Sequence, residues 1–143
     1  MAKRVYTIGY EGKTINEFID QLKKSGVKRV ADVRKITSSR KRDFSKTKFS
    51  EILAKNDIEY VGMRELGTPD EVRRFYKSGG ALEEFLRRYE KYIDTVPEAM
   101  KKLETVAGER PTAIMCFEND FKKCHRQVLS KRLQKKGFEV ENL

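Results

Sequence analysis

The sequence predicts an α/β fold with a mainly parallel central sheet of four or five strands, flanked by helices. The chain has 143 residues, the size of one domain with one hydrophobic core. Short apolar runs alternate with segments of helical periodicity, and this order favours crossover connections between parallel strands. No repeat, low-complexity tract or linker interrupts the pattern, so residues 1–143 are interpreted as one domain. A helical insertion, from about residue 69 to residue 108, is expected before the last long strand.

The first half of the chain is predicted to contain three strands and two helices. The strands are residues 4–9, 27–33 and 58–63. Thr14 and Glu17 have the spacing of a capping box, and the apolar residues behind them recur with the period of a helix. Gly26 suits the position just after the end of that helix. After a basic connection, Ser45 is expected to cap a second, shorter helix.

The second half is predicted to begin with the helical insertion. Thr68 and Glu71 again have capping-box spacing, with Pro69 at the favoured first helical position. Gly79 and Gly80 separate a short helix from a longer one. The predicted elements are helices at 72–77, at 81–94 and from 97 onward, a strand at 113–117, a helix at 126–136 and a strand at 138–140.

The chain is strongly basic, with 32 Lys and Arg against 22 Asp and Glu and a formal net charge of +10. An excess of this size favours polyanionic partners such as nucleic acids. Many of the basic residues alternate with acidic ones in helical segments, so a charged surface that serves only solubility is the alternative interpretation. The abundance of Lys, Arg and Glu is also typical of proteins from thermophilic organisms.

Several classes of protein are not expected from this sequence. Two cysteines without a signal-peptide pattern indicate a reducing, cytoplasmic environment. No apolar run approaches the ~20 residues of a membrane-spanning helix. Two cysteines and one histidine do not match a four-ligand structural zinc site, so no metal is expected. The turn at residues 9–12 lacks the spacing of a dinucleotide fingerprint or a phosphate loop, so no cofactor is expected. The sequence indicates no oligomeric state.

The segment with the most chemistry is residues 112–126, which reads TAIMCFENDFKKCHR. An apolar strand ends near Cys116, a polar loop follows, and Cys124, His125 and Arg126 open the last helix. Ligands of open α/β sheets bind at the carboxyl ends of strands. Helix N-termini favour anions and lower the pKa of thiols. This strand-to-helix connection is therefore a candidate site.

Each polar residue of this connection has a functional and a structural interpretation. Cys124 lies beside His125 and Arg126, which stabilise a thiolate, so it is a candidate nucleophile; a cysteine that merely begins a helix is the alternative. His125 is the candidate base, although neighbouring helical side chains point about 100° apart and need not touch. Glu118 would orient His125 or Arg126, or act as a base itself. Cys116 would line the pocket, or serve only as a small buried apolar residue.

A second group of candidates follows the second strand. Asp32 and Arg34 lie two residues apart on a strand, and therefore on one face. They are interpreted either as a structural ion pair or as an acid–base carboxylate beside an anion-binding guanidinium. Ser38, Ser39 and Arg40, on the loop beyond, have the hydroxyl and guanidinium groups that suit phosphate contact, although loop residues are often simply solvated.

The carboxyl ends of parallel strands share one edge of the sheet, so these groups are expected to converge in one pocket. Tyr10, at the end of the first strand, would line that pocket together with Cys116. The catalytic candidates are Asp32, Glu118, Cys124 and His125, and the anion-binding candidates are Arg34, Ser39, Arg40 and Arg126.

Five segments, in order along nearly the whole chain, resemble the pattern of a widespread prokaryotic family, domain-of-unknown-function family 488 (DUF488). They are YTIGY at 6–10, ADVR at 31–34, SSR at 38–40, LGT at 66–68 and MCFENDFKKCHR at 115–126. The CFE and CHR block is the most specific part. Members commonly have His after the first Gly, where this chain has Tyr10. The resemblance implies an α/β fold and a shared polar pocket, and it implies no reaction.

A looser resemblance is to rhodanese-type domains. The segment Asp32-Val33-Arg34 resembles the end of their first strand, and Cys116 resembles the cysteine of their active-site segment. Their loop cradles an anion over a short span from Cys to Arg. Here nine residues without a glycine separate Cys116 from Arg126.

Three functions follow from these observations as open alternatives. The first is an enzyme that binds a phosphorylated substrate, a nucleotide or a nucleic acid, in the polar pocket. The second is a non-catalytic nucleic-acid-binding or regulatory module, whose affinity would fall steeply with salt. The third is a rhodanese-like, thiol-dependent transferase or phosphatase.

Overall fold

The computed structural model describes residues 3–143 as a five-stranded sheet with helices on both sides. The strands are β1 (Lys3–Gly9), β2 (Arg29–Asp32), β3 (Glu59–Gly62), β4 (Thr112–Cys116) and β5 (Phe138–Asn142). The helices are α1 (Ile15–Lys24), α2 (Lys46–Lys55), α3 (Asp70–Lys77), α4 (Leu82–Ile93), α5 (Pro97–Glu109) and α6 (Arg126–Lys135). Each strand pairing is parallel, in the order β3-β2-β4-β1-β5. The predicted α/β class is confirmed.

The central strand β4 aligns the carboxyl ends of its two neighbours, β1 and β2. All five of its residues are buried, as is usual for a strand covered on both faces of a parallel sheet. Its register places Cys116 beside Gly9 of β1 and Met115 beside Asp32 of β2. The carboxyl ends of β1, β2 and β4 therefore meet at one edge.

The sheet separates two apolar cores. One core, packed under α1 and α2, contains an aromatic cluster of Phe18, Phe44 and Phe49 with ring centroids 5.3–5.6 Å apart. The other core lies under α4, α5 and α6 and contains Leu103 and Leu129, both fully buried. Burial of these apolar faces holds the helices against the sheet and keeps the strand ends in fixed positions.

The predicted capping box of the first helix is confirmed. The backbone N–H of Glu17 donates to the Thr14 hydroxyl at 3.1 Å, and the backbone N–H of Thr14 donates to the Glu17 carboxylate at 2.8 Å. Gly26 follows the helix with φ of 74°, the left-handed conformation that glycine adopts without steric cost.

Two other predicted side-chain caps were wrong. The Ser45 hydroxyl makes no cap hydrogen bond to α2. It accepts instead from the backbone N–H of Ser39 at 2.9 Å, and so stabilises the basic loop between β2 and α2. Thr68 does not form a capping box, because α3 begins at Asp70 and Pro69 takes the cap position. Thr68 is instead buried beside the strand-end cavity described below.

The helical insertion predicted between the third strand and the last long strand consists of α3, α4 and α5. A tight contact anchors its start: a Cβ on Gly67 would clash with the backbone of Lys35, so only glycine lets these two segments approach this closely. The contact fixes α3 above the carboxyl end of β2. Among the helices of residues 3–143, none combines the length and the apolar character that crossing a membrane requires.

Candidate functional site

A cavity of about 470 Å³ lies at the carboxyl edge of the sheet. Five of the residues that the sequence singled out contribute to its wall, which are Tyr10, Arg34, Cys116, Glu118 and His125. They come from the ends of three strands and from the connection between β4 and α6. The parallel register explains why segments so distant in sequence meet here.

The other five predicted site residues lie outside the cavity wall. Asp32, Cys124 and Arg126 are buried behind it. Ser39 is half-buried on the basic loop, and Arg40 is exposed there. The structure thus brings together the ends of β1, β2 and β4, but it does not bring Arg40 to the cavity.

Asp32 and Arg34 form a buried ion pair, one of the two interpretations that the sequence allowed. Two nitrogens of Arg34, Nε and Nη2, donate to the two carboxylate oxygens of Asp32 at 2.9 and 2.8 Å. The carboxylate also accepts from the Tyr60 hydroxyl at 2.7 Å and from the backbone N–H of Arg34 at 3.1 Å. With four donors on a fully buried carboxylate, Asp32 is fitted to hold Arg34 in place.

The ion pair changes the acid–base properties of Arg34. Burial alone would lower the pKa of Arg34, but the hydrogen bonds and negative charge of Asp32 outweigh burial and raise this pKa above its ordinary value. The remaining nitrogen, Nη1, donates to the Tyr10 hydroxyl at 3.3 Å on the cavity side. The guanidinium is therefore a permanent, immobile cation in the wall.

Tyr10 connects the ion pair to the aromatic core. Its ring stacks on Phe44 with a centroid distance of 4.4 Å, and Phe117 packs against its edge at 5.3 Å. Its hydroxyl donates to Ser39 at 3.3 Å and accepts from Arg34. Tyr10 thus connects the guanidinium of Arg34 to Ser39, on the loop between β2 and α2, and to the ring of Phe44.

The connection between β4 and α6 returns on itself, so that its two cysteines meet. The sulfur atoms of Cys116 and Cys124 are in bonding contact, and their Cα atoms are 7.8 Å apart. The Cys116 sulfur also lies 3.3 Å from Oε2 of Glu118. Of the two cysteines, Cys116 is the one that contributes to the cavity wall.

Cys124 and His125 touch, contrary to what adjacent positions on a regular helix would allow. The sulfur of Cys124 lies 3.6 Å from Nδ1 of His125. The reason is that α6 begins only at Arg126, while Cys124 still has an extended backbone with φ of −125° and ψ of 150°. Neighbouring side chains need not diverge by 100° where the backbone is not helical.

His125 is buried at the back of the cavity, with 7 % of its surface exposed. Its Nε2 lies 2.9 Å from the carbonyl oxygen of Val33, and the ring of Tyr89 packs against its edge at 5.0 Å. Burial lowers the pKa of His125 to about 4, with a smaller contribution from the charge of Arg126. The imidazole is therefore neutral near pH 7.

Arg126 is a second buried arginine, only 1 % exposed. Its Nη2 donates to the backbone carbonyl of Glu118 at 2.5 Å, and its Nε lies 3.4 Å from the sulfur of Cys124. Burial lowers the pKa of Arg126 to about 10, against 12.5 ordinarily. In the part of the chain that the structure describes, no carboxylate forms an ion pair with this guanidinium.

Glu118 lines the cavity with a partly buried carboxyl group. Burial raises its pKa, although the charges of Arg126 and Lys77 act in the opposite direction. Its backbone is fixed from two sides, because its carbonyl accepts from Arg126 and abuts Gly9, where a Cβ would clash. The side chain is therefore presented from a rigid segment of main chain.

The sequence-based prediction missed the wall that the helical insertion supplies. Arg73, Tyr76 and Lys77 of α3 line the cavity, with Phe85 of α4 stacked on Tyr76 at a centroid distance of 4.3 Å. The first three residues recur at i, i+3 and i+4, so a signal was present in the sequence. Their face could not be assigned without knowing that Gly67 packs on the loop after β2.

The fold and the cavity define a class of protein: a parallel α/β domain with thiols, an imidazole and arginines at the carboxyl edge of its sheet. The model of the family described as "Domain of unknown function DUF488" matches residues 14–133, so the chain belongs to this family. The resemblance found in the sequence motifs is thereby confirmed. Searches of curated proteins and of solved structures give no significant match.

Proposed function

We propose that the protein is an enzyme that binds a phosphorylated substrate, a nucleotide or a nucleic acid, in the strand-end cavity. The observation that carries this proposal is the composition of the cavity wall, which combines four cations with an aromatic surface and a reactive corner. The cations are Arg34, Lys35, Arg73 and Lys77, and the aromatic residues are Tyr10, Tyr76, Phe85 and Phe117.

The cations favour phosphate over other ligands of the same size. Arg34 is held rigidly by Asp32, and its planar guanidinium is suited to phosphate oxygens. Lys77 and Arg73 face the cavity from α3, across from the strand ends. Glu118 is the carboxylate among the lining residues, but Asp32 pairs with Arg34, and Asp70 lies 3.3 Å from both Lys35 and Arg73. A phosphate group would therefore compete with Asp70 for Lys35 and Arg73, and would meet Lys77 directly.

The aromatic residues favour a ligand that carries a flat ring. Tyr76 and Phe85 stack with an interplanar angle of 16°, and Phe117 is 45 % exposed beside Tyr10. Bases stack on such side chains independently of their identity, which contributes about 1–3 kcal/mol per base. A wall of cations and aromatic rings together suits a nucleotide better than a simple phosphate ester.

The reactive corner of the cavity, formed by Cys116, Glu118 and His125, supports catalysis over binding alone. The rhodanese-like alternative is supported less well, because the N–H donors at the start of α6 point to the sulfur of Cys124. A rhodanese-type loop would aim such donors into the cavity around the cysteine that ends β4. Asp32 serves in this proposal as the residue that positions Arg34.

The test is binding of phosphorylated and unphosphorylated ligands by isothermal titration calorimetry. The probes are AMP, a short single-stranded oligonucleotide and adenosine. We expect AMP or the oligonucleotide to bind the native protein, and adenosine to bind at least tenfold more weakly, because each lost charge-assisted contact costs about 1.5 kcal/mol.

The matched variants lie on one helix. Arg73→Ala combined with Lys77→Ala should weaken binding of the phosphorylated probe at least tenfold. Arg74→Ala, an exposed change on the same helix outside the cavity wall, should leave binding within a factor of two. Equal affinities in both variants, or no binding of any phosphorylated probe, would refute the proposal. Binding without turnover of any probe would favour the non-catalytic module.

A further inference from the structure

A compact group of metal-ligating atoms lies at the back of the cavity. The sulfurs of Cys116 and Cys124 and a ring nitrogen of His125 all lie within 4.8 Å of one another, and all three residues are buried. They belong to two rigid elements, because Cys116 ends β4 while Cys124 and His125 immediately precede α6. A buried group of two thiols and one imidazole is the ligand type that Zn²⁺ prefers.

The imidazole already has the orientation of a metal ligand. A carbonyl oxygen can only accept, so the 2.9 Å contact between Nε2 of His125 and the Val33 carbonyl places the ring proton on Nε2. The lone pair is then on Nδ1, which lies 3.6 Å from the sulfur of Cys124. Histidines that bind metals almost always donate their other ring N–H to a carbonyl or carboxylate in this way.

Arg126 packs closely against the sulfur of Cys124. Arg126 directs its backbone N–H and its Nε to the sulfur of Cys124, at 3.5 and 3.4 Å. This guanidinium is 1 % exposed and forms no carboxylate ion pair within residues 3–143. A metal-bound thiolate at Cys124 would place a negative charge beside this buried cation, closer than the carboxylates of Glu118 and Asp120.

The backbone spacing of the two cysteines suits a shared metal ion. Their Cα atoms are 7.8 Å apart, beyond the range of about 4.4–6.8 Å that is usual for a disulfide. A metal that bonds each sulfur at about 2.3 Å bridges a wider gap than a direct sulfur–sulfur bond does. The spacing of the two backbones therefore favours coordination, although the sulfur atoms, which are in bonding contact in this structure, would have to turn apart to admit the ion.

We propose that Cys116, Cys124 and His125 bind one Zn²⁺ ion through their two sulfurs and Nδ1. Cys116 and His125 line the cavity while Cys124 lies behind them, so the fourth ligand would enter from the cavity. Three protein ligands with one exchangeable position are the mark of catalytic zinc sites. The expectation of no metal from the sequence considered only four-ligand structural sites. The site requires no phosphorylated ligand and goes beyond the proposed function.

The test begins with the full chain, reduced by a phosphine and freed of metal by a chelator. Zn²⁺ is titrated in competition with a chromophoric chelator, and Co²⁺ is titrated by absorption. We expect one equivalent of each ion per chain, with release of thiol protons to the solvent. Bound Co²⁺ should give the visible bands of a tetrahedral site and sulfur-to-cobalt charge-transfer bands.

Three variants assign the ligands. Cys116→Ser and Cys124→Ser should each weaken Zn²⁺ binding at least tenfold and retain roughly half of the charge-transfer intensity, because one thiolate remains. His125→Gln should weaken binding at least tenfold but keep the sulfur bands. Ile36→Ala, in the cavity wall and without a ligand atom, is the control and should bind Zn²⁺ as the native protein does. Circular dichroism checks that each variant folds.

A second measurement uses only the native protein. Bound Zn²⁺ should protect both thiols from iodoacetamide, and removal of the metal should expose them. A reduced protein that keeps two titratable thiols but takes up neither Zn²⁺ nor Co²⁺ would overturn the proposal. So would sulfur bands that keep their full native intensity in both cysteine variants, or a disulfide that forms again after reduction and excludes the metal.

Failure of this proposal is distinguishable from failure of the proposed function. Zinc uptake is measured without any nucleotide, and nucleotide binding is measured on the variants of Arg73 and Lys77, which are outside the ligand set. Metal uptake without nucleotide affinity would refute only the proposed function. Nucleotide affinity in a protein that takes up no metal would refute only the zinc site.

Discussion

The two buried arginines of the site differ in how their charge is balanced. Arg34 forms two parallel hydrogen bonds with the carboxylate of Asp32, which raise its pKa above the ordinary value despite burial. Arg126 is less exposed than Arg34, 1 % against 6 %, yet contacts only a carbonyl and a sulfur, and its pKa falls to about 10. The first charge is hydrogen-bonded to a carboxylate, whereas the second interacts with the carboxylates of Glu118 and Asp120 only at longer range.

This difference gives the two arginines different energetic environments. A neutralised pair such as Asp32 and Arg34 keeps a guanidinium in one orientation at the cavity wall. A buried guanidinium without a hydrogen-bonded carboxylate is costly. The zinc site proposed above would place negative charge on the Cys124 side of the cavity, next to Arg126.

The largest effect is expected when each arginine is replaced by methionine, which has a similar length and no charge. Arg34→Met leaves the fully buried carboxylate of Asp32 without its partner, and should lower the free energy of unfolding by about 3–5 kcal/mol. Arg126→Met loses the hydrogen bond to the Glu118 carbonyl but also removes a buried charge, so about 1 kcal/mol is expected. Urea unfolding of both variants measures the difference.

The two replacements control for each other, because both insert the same side chain into a buried position. Equal losses of stability would mean that the two charges are balanced alike. An Arg126→Met variant less stable than Arg34→Met would contradict the comparison. It would show that Arg126 contributes more to stability than the ion pair of Arg34 with Asp32 does.

A second test examines whether the backbone contact between Gly9 and Glu118 holds the hydrogen-bond partner of Arg126 in place. Gly9→Ala would push a methyl group into the carbonyl of Glu118, the same group that Arg126 donates to. Overpacking of this kind costs about 1–3 kcal/mol. Gly62→Ala, at the end of β3, is the matched control, since its nearest neighbour would be the Tyr60 ring at an ordinary 3.5 Å.

Thermal and urea unfolding measure the difference in stability between the two alanine variants. A Gly9→Ala variant as stable as Gly62→Ala would show that the β4–α6 connection can move away from β1. The positions of Arg126 and Cys116 would then not be fixed by the contact between Gly9 and Glu118.

The sequence was sufficient for the fold because the signals were local and repeated. Alternating apolar runs and helical periods placed every strand and helix within two residues of its observed bounds where both ends were predicted. The parallel arrangement then followed, since crossover connections force strand ends to one edge. The same reasoning brought Tyr10, Arg34, Cys116, Glu118 and His125 to one place, as the cavity wall shows.

Side-chain direction could not be predicted, because it depends on backbone details at the ends of elements. Cys124 meets His125 only because its backbone is extended just before α6. Ser45 bonds the basic loop rather than its helix, since the loop backbone folds back over it. The wall on α3 depends on a contact between two loops, at Gly67 and Lys35. None of these contacts corresponds to a periodic pattern of residues in the sequence.

The smallest effect compares the two hydroxyl groups around the Arg34 pair. Tyr60 donates to the buried carboxylate of Asp32 at 2.7 Å, whereas Tyr10 accepts from Arg34 at 3.3 Å. Tyr60→Phe should lower the free energy of unfolding by about 1.5 kcal/mol, as expected for a hydrogen bond to a charged group. Tyr10→Phe should lower it by about 0.5–1 kcal/mol, since its partner is reached less closely.

Access to water explains why the two losses should differ. Asp32 is 0 % exposed, so no water can replace the Tyr60 hydroxyl, whereas Arg34 faces the cavity and can turn its Nη1 to solvent. Chemical denaturation measures both variants, and the stacking of residue 10 on Phe44 is retained in Tyr10→Phe. A larger loss for Tyr10→Phe would mean that the tyrosine, and not Asp32 alone, holds the Arg34 guanidinium at the cavity wall.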